Sequence, residues 1–562
     1  MAKFEGTEGN DVEPGLLGIV TGLGDDEIYG YGGNDTLIGY AGDDIIEGGA
    51  GQDNIIGGVL NVVLNVGEIS LSGNDTAIYD TSNAGVTVNL STTSTIDVEV
   101  LGVQIALTNA TVGKGGHAEG DILTGITNLR GSNFSDALTG NADANILTGL
   151  SGDDDLVGAA GDDTLNGGNG ADTLNGGLGN DTMTGGAGND TYIVNSLLDE
   201  VIELAGGGTA DRVASSIDWV LGSDDQIEIL TTTNSQGTAS INLRGNAFAQ
   251  TITGNDGNNV LHDGGTGPGG SDSQPDTLVG RLGNDTYIVY NSDAVVVERA
   301  GEGTDRVAAG VDYKLATGVH VEALSTTSQT AIYEINLTGN RFAQTITGND
   351  GNNVLNDGGA GAADVLRGRD GDDTYFVYNS NDTIIEVAGE GNDTVGTNVD
   401  FALSASASVE VMRTTSSQGV SGIDLTGNNF AQEIFGNAGA NRLDGKGGSD
   451  TLTGGAGPDT YVFSSALGAG NVDTINGFSV VSDTIELENA IFTVLTTGTL
   501  AAGAFRANAT GLAQDSSDRI IYDTDSGALF YDADGSGSGS SAIQFATLTP
   551  GLSLTNADFS VA

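Results

Sequence analysis

Residues 167–194 read GGNGADTLNGGLGNDTMTGGAGNDTYIV, and their aspartates, Asp172, Asp181 and Asp190, stand nine apart. Each has a glycine two positions before it and an apolar side chain two positions after it. A carboxylate on a glycine-rich turn is a hard oxygen ligand beside backbone carbonyls, the donor set that Ca²⁺ takes. Other chemistry finds less support. His117, His262 and His320 lie in HAEGD, HDGGT and HVEAL, none of which gives the HExxH zinc spacing. No GxSxG elbow is present. DTDSG (523–527) and DADGSG (532–537) suggest a calcium loop, but Ile543 stands where a bidentate glutamate belongs, so both are expected to be hairpin turns.

The interval extends backwards through Asp163, Asp154, Asn145 and Asp136, followed two residues on by Leu165, Leu156, Leu147 and Leu138. Asp26, Asp35, Asp44 and Asp53 do the same with Ile28, Leu37, Ile46 and Ile55. Later runs begin with amides: Gln250 and Asn259 before Asp276 and Asp285, Gln344 and Asn353 before Asp364 and Asp373, Gln432 and Asn441 before Asp450 and Asp459.

A longer period lies above the short one. RGNAFAQTITGNDGNNVL (244–261), TGNRFAQTITGNDGNNVL (338–355) and TGNNFAQEIFGNAGANRL (426–443) are copies, with RGSNFSDALTGNADANIL (130–147) a fourth. Each run closes on DTY, at Tyr192, Tyr287, Tyr375 and Tyr461. These repeats divide the chain into a first roll (1–58), a β-rich insert (59–130), modules at 131–243, 244–337, 338–425 and 426–463, and a C-terminal β domain (464–562).

Nine residues hold one short strand and one tight turn, so two such units make a flattened coil. The apolar residue after each aspartate points inward, with Leu156, Leu174 and Tyr192 on one face and Leu147, Leu165 and Met183 on the other. Stacked strands lie about 4.8 Å apart, which sets Asp154 beside Asp172 and Asp163 beside Asp181. Two like charges at that separation repel by roughly 3–4 kcal/mol at an effective dielectric of 20. A divalent cation between turns reverses the sign. The neutral amides can stack without metal, so weak or empty sites are expected at Gln250, Asn259, Gln344, Asn353, Gln432 and Asn441. The linking segments, such as TYIVYNSDAVVVERAGEGTDRVAAGVDYKL, show strand spacing with glycine at turns.

Composition narrows the partners. Asp plus Glu number 77 against 17 Lys plus Arg, a formal charge of −60, so neither nucleic acid nor an anionic membrane surface is a fitting partner. With 38 % hydrophobic residues the chain is not expected to be disordered, despite 92 glycines. It has no cysteine. VLNVVLNV (59–66) is too short to span a bilayer, and MAKFEGTEGNDVEPGLLGIV is not expected to be a secretory signal peptide.

GGNGADTLN, GGLGNDTMT and GGAGNDTYI match GGxGxDxUx in full, and the chain resembles the RTX (repeats-in-toxin) family on these repeats. The resemblance implies an all-β fold: tandem parallel β-roll solenoid modules joined by β-strand segments, with a C-terminal β-rich secretion domain. It implies multiple Ca²⁺ ions held by Asp26, Asp35, Asp44, Asp53, Asp154, Asp163, Asp172, Asp181, Asp190, Asp276, Asp285, Asp364, Asp373, Asp450 and Asp459. The carbonyl ligands it implies are those of Gly22, Gly24, Gly33, Gly42, Gly49, Gly51, Gly152, Gly161, Gly168, Gly170, Gly177, Gly179, Gly186, Gly188, Gly283, Gly371, Gly448, Gly455 and Gly457.

The resemblance also implies export by type I secretion machinery with an uncleaved C-terminal signal, for which SLTNADFSVA has the expected acid and apolar residues. The chain is expected to fold on Ca²⁺ outside the cell. With repeats and links consuming most of it, a non-enzymatic, self-associating surface-layer or matrix protein fits best. The alternative is a soluble adhesin or polysaccharide-acting exoprotein with its site on 59–130 or 460–562, which the lone Trp219 and 5 % aromatic content disfavour.

Overall fold

A computed structural model describes residues 3–7, 9, 11, 24–58, 73–100, 103–266 and 274–562. The described residues fall into two compact units, one ending at Asp285 and the other beginning at Thr286. The VLNVVLNV run, most of the insertion before Asp276, and Gly22 lie outside the described residues.

In the first unit each nine-residue repeat is a three-residue strand or slightly longer, followed by a turn. Strands two repeats apart pair in parallel. Leu147 pairs with Leu165 and Leu165 with Met183 on one sheet, while Leu156 pairs with Leu174 and Leu174 with Tyr192 on the other. All six side chains are fully buried, so the thin core runs along the roll between the two sheets. The N-terminal repeats behave alike, with Ile28 against Ile46 and Leu37 against Ile55. The second unit repeats the pattern: Leu355, Tyr375, Val395, Met412, Ile434 and Leu452 are each buried. Leu355–Tyr375–Val395–Met412–Ile434–Leu452 also form one continuous parallel register.

The linking segments are coils of the same solenoid. Arg212–Ser215 and Ile229–Thr232 pair in parallel between Thr191–Val194 and Thr251–Thr253, so the roll continues through the link after Tyr192. The described part of the 59–130 insert is likewise drawn into the roll. Thr76–Ile78 pairs with Ile45–Glu47 and Asn128–Arg130, and Thr87–Asn89 pairs with Ala137–Thr139. Among its described residues the antiparallel hairpin Ser94–Val100 and Val103–Val112 departs from the coil.

At the C-terminal end the two expected turns are hairpin turns. Ile520–Asp523, Ala528–Tyr531 and Ile543–Thr547 form an antiparallel meander. Phe545 and Phe492 pack edge-on beneath it with ring centroids 5.2 Å apart. Phe559–Val561 lies in a sheet between Thr484–Leu487 and Gly498–Thr499. Helical structure among the described residues is limited to three-residue 3₁₀ turns such as Gly116–Ala118, and no helix is long and apolar enough to cross a membrane.

Candidate metal centre

The parallel register carries each aspartate onto the one below it. The backbone N–H of Asp154 donates to Asp172 Oδ1 at 2.8 Å, and that of Asp172 to Asp190 Oδ1 at 2.8 Å. Asp163 donates to Asp181 at 2.9 Å on the opposite edge. The N-terminal roll gives Asp26 to Asp44 at 2.8 Å and Asp35 to Asp53 at 2.7 Å. In later modules the amide residues donate to the aspartates: Gln250 to Asp276 and Asn259 to Asp285, then Gln344 to Asp364 and Asn353 to Asp373, then Gln432 to Asp450 and Asn441 to Asp459. The ladder is thus built first by backbone hydrogen bonds, each using one carboxylate oxygen.

The second oxygen is different. Oδ2 of Asp35, Asp44, Asp53, Asp154, Asp163, Asp172, Asp181, Asp190, Asp364, Asp373, Asp450 and Asp459 is buried with no hydrogen-bond partner. Leaving a buried acceptor unmade costs roughly 1–3 kcal/mol, more when it is charged. Burial accordingly pushes these carboxyls up: Asp154 and Asp44 to about 7, Asp163 and Asp172 to about 6, Asp450 to about 8. Asp136, in the same nine-residue register, is also raised by burial, but its Oδ2 has a partner, accepting the Ser132 N–H at 2.6 Å.

Carbonyl oxygens meet the orphaned ones. A Cβ placed on Gly158 would lie 2.2 Å from Asp163 Oδ2 and 2.4 Å from Gly176 O, and one on Gly30 would lie 2.4 Å from both Asp35 Oδ2 and Gly48 O. Only glycine leaves that space open. Among the expected glycines, Gly33, Gly42, Gly49, Gly51, Gly152, Gly161, Gly168, Gly170, Gly177, Gly179, Gly186, Gly188, Gly283, Gly371, Gly448, Gly455 and Gly457 have positive φ, and Gly24 does not. The carbonyls of Gly161 and Gly170 aim at the glycine of the next turn, 1.7 Å from a Cβ placed on Gly179 and on Gly188 respectively. The first glycine of each motif, such as Gly48 or Gly176, was not singled out from sequence, although its carbonyl and the orphaned oxygen border the same space beside a glycine of the neighbouring coil.

The amide positions solve the same problem without charge. Asn353 Nδ2 donates to Ile335 O at 3.0 Å and to Asn349 Oδ1 at 2.9 Å, and Asn441 Nδ2 donates to Ile423 O at 3.1 Å. Gln344 and Gln432 each donate to an asparagine four residues earlier at 2.9 Å. An –NH₂ group replaces what a cation would supply.

Sequence reading missed several members of the ladder. Asp44 donates to Asp75 at 3.1 Å and Asp53 to Asp121 at 2.8 Å, and both new aspartates have a buried, unpartnered Oδ2. The GNDT of 73–76 repeats that of 33–36 and was a usable signal, outside the nine-residue count. Asp190 continues to Asp211 at 2.7 Å, and Asp373 to Asp393 at 2.8 Å. Each DTY tyrosine is buried, and the hydroxyls of Tyr192 and Tyr375 donate to Glu203 and Glu386.

None of the convergent acidic groups among the described residues includes a histidine. Trp219 is buried in the core. A cavity of about 740 Å³ beside the Ser94–Val112 hairpin has Asp143 as its one ionisable lining residue among those described.

The model of the RTX calcium-binding nonapeptide repeat (4 copies) matches residues 19–59, 130–165, 157–192, 244–266 and 426–461. The chain carries RTX calcium-binding repeats over these residues. No curated protein matches it. Ca²⁺ is the cofactor of the RTX repeats, and the residues here fit it. Buried carboxylate oxygens without donors, backbone carbonyls beside them and glycines that keep the space clear form an all-oxygen, flexible shell. Bound there, the ion supplies the positive charge that the orphaned oxygens lack. The chain's own residues supply the register that brings them together.

Proposed function

We propose that this RTX protein is a secreted, non-enzymatic structural component that folds on Ca²⁺ outside the cell and associates with copies of itself as a surface-layer or matrix element. The observation that carries this reading is the ladder of buried carboxylates in both units whose Oδ2 has no donor. It makes the folded state conditional on a cation scarce in cytosol and abundant outside. A ligand specific to the folded state stabilises it by about 2.7 kcal/mol per site at a hundredfold excess over its Kd. Several such sites separate an unfolded interior chain from a folded exterior one, which suits export through type I secretion machinery.

The expected ligands are the motif aspartates and the positive-φ glycines. The sequence modules serve as repeating units of one calcium-dependent scaffold. The polysaccharide-acting alternative gains little from the cavity, since glycoside hydrolysis in most families needs two facing carboxylates. Adding Ca²⁺ to chelated protein and imaging the product by electron microscopy tests the proposal. Ordered sheets or filaments are the expected result. Lasting monomers that bind or cleave glycans would sink it.

A further inference from the structure

The roll ends contain a group that the nonapeptide does not provide. Between Asp190 and Asp211 the link carries Glu203, which is 1 % exposed and eleven residues beyond Tyr192. One ligand atom each from Asp190, Glu203 and Asp211 lie within 4.8 Å of one another. Tyr192 donates its hydroxyl to Glu203 Oε2, which leaves Oε1 facing inward. Asp190 Oδ2, Glu203 Oε1 and Asp211 Oδ2 are all buried and without a hydrogen-bond partner.

Backbone oxygens converge on the same place. A Cβ on Gly207 would fall 1.9 Å from Glu203 Oε1 and 2.7 Å from Gly186 O, and one on Gly208 would fall 2.1 Å from Gly188 O and 2.4 Å from Asp211 Oδ2. The second unit builds the group again from Asp373, Glu386 and Asp393, also within 4.8 Å. There Tyr375 donates to Glu386, and Asp373 Oδ2 and Asp393 Oδ2 are buried and unpartnered. The last roll differs. Eleven residues after Tyr461 stands Val472, and Tyr461 lies against Phe478 with ring centroids 5.9 Å apart.

We propose that Asp190–Glu203–Asp211 and Asp373–Glu386–Asp393 are calcium sites of a second kind, in which a glutamate from the linking segment joins two ladder aspartates and fastens the link to the end of the nonapeptide run. The inference rests on the calcium reading of the ladder and adds ligands that the nine-residue motif does not contain. Asp190 Oδ2, Glu203 Oε1, Asp211 Oδ2 and the carbonyls of Gly186 and Gly188 supply five of the six to eight oxygens that Ca²⁺ accepts, water can complete the shell, and the uneven geometry suits Ca²⁺ better than the tight octahedron of Mg²⁺. The tyrosine holds the glutamate in place without competing for the metal, because it occupies the outer oxygen. The roll ending at Tyr461 has no such glutamate and is assigned no such site.

The test uses the full chain and Ca²⁺ itself. In the E203Q/E386Q variant, metal analysis after equilibrium dialysis at saturating Ca²⁺ is expected to find one ion fewer per glutamate replaced, with the β-sheet circular dichroism kept. An unchanged ion count overturns the inference. Should the variant fail to fold, the native chain loaded with Eu³⁺ decides. Two excitation lines, the minor one from the more anionic sites, support a second class, and a single line overturns it. A native chain that binds no Ca²⁺ defeats the broader calcium reading. A native chain that binds Ca²⁺ and loses none with the glutamates defeats this inference alone.

Discussion

At the scale of a residue, the decisive contrast is between an aspartate and an asparagine on the same turn. Asn353 satisfies its –NH₂ with Ile335 O and Asn349 Oδ1, whereas Asp172 keeps Oδ2 buried and unmet. Asn353→Asp trades two hydrogen bonds for an oxygen facing oxygens. It is expected to lower stability in chelator by about 1–3 kcal/mol, read from thermal unfolding in EDTA, with part of the loss recovered in Ca²⁺. Asp172→Asn is expected to bind fewer ions and to unfold at a lower temperature in saturating Ca²⁺. The raised carboxyls set a pH dependence as well. Their folded pKa lies above the unfolded value, so the stability they contribute is full below about pH 4. It is lost as pH rises through about 6 for Asp163 and Asp172, about 7 for Asp154 and about 8 for Asp450. Metal-free protein should therefore gain β-structure on acidification from pH 8 to pH 5, and Ca²⁺ binding near pH 6.5 should release protons measurable in weak buffer. A metal-free chain equally unfolded across that range would contradict the assignment.

At the scale of an element, the turn is the unit that selects residues. Its second position tolerates a side chain in the left-handed region: Leu150 at φ 86°, Ala159 at 79° and Lys446 at 66°. Such a residue costs about 1–2 kcal/mol there. The fourth position is tighter, since a Cβ on Gly179 would lie 1.7 Å from Gly161 O of the turn below, against 2.3 Å from Ala159 O for one on Gly177. Gly177→Ala is therefore expected to cost more than the ~1–2 kcal/mol of the left-handed backbone alone, because its Cβ would lie 2.3 Å from Ala159 O, and Gly179→Ala to cost more still and shift the folding midpoint to higher Ca²⁺, both followed by circular dichroism. The same turn explains what the sequence disclosed. Where nine residues make one strand and one turn, register, core side chains and ladder partners could all be read from spacing, as for Leu156, Leu174 and Tyr192. In the links the interval between ladder acids changes to 21 at Asp190–Asp211 and 17 at Asp211–Glu228. With the period gone, the links read as scaffold although they continue the coil. Glu203 was missed for a related reason: it stands outside the nine-residue period, and what marks it is the eleven-residue interval from the DTY tyrosine that Glu386 repeats.

At the scale of the whole molecule, two explanations of calcium dependence compete. One is screening: a chain of formal charge −60 repels itself, and any added salt relieves that. The other is site binding, in which the buried oxygens need a cation of the right size and coordination. The two differ in what NaCl does. At 1 M salt the Debye length falls to about 3 Å, so exposed acids such as Asp143 and Asp162 stop repelling one another. The orphaned oxygens lie inside the roll, where mobile ions reach them only by coordination, and Na⁺ brings one charge to groups that hold two or three carboxylates. Chelated protein in 1 M NaCl should thus become somewhat more compact and still lack its β-sheet signal. Mg²⁺, which keeps its waters and demands a tight octahedron, should fold it poorly at concentrations where Ca²⁺ completes the transition. Small-angle scattering for size and circular dichroism for sheet, measured on the same samples, separate the two quantities. Full folding in NaCl alone would assign the dependence to net charge and leave the ladder with no special role.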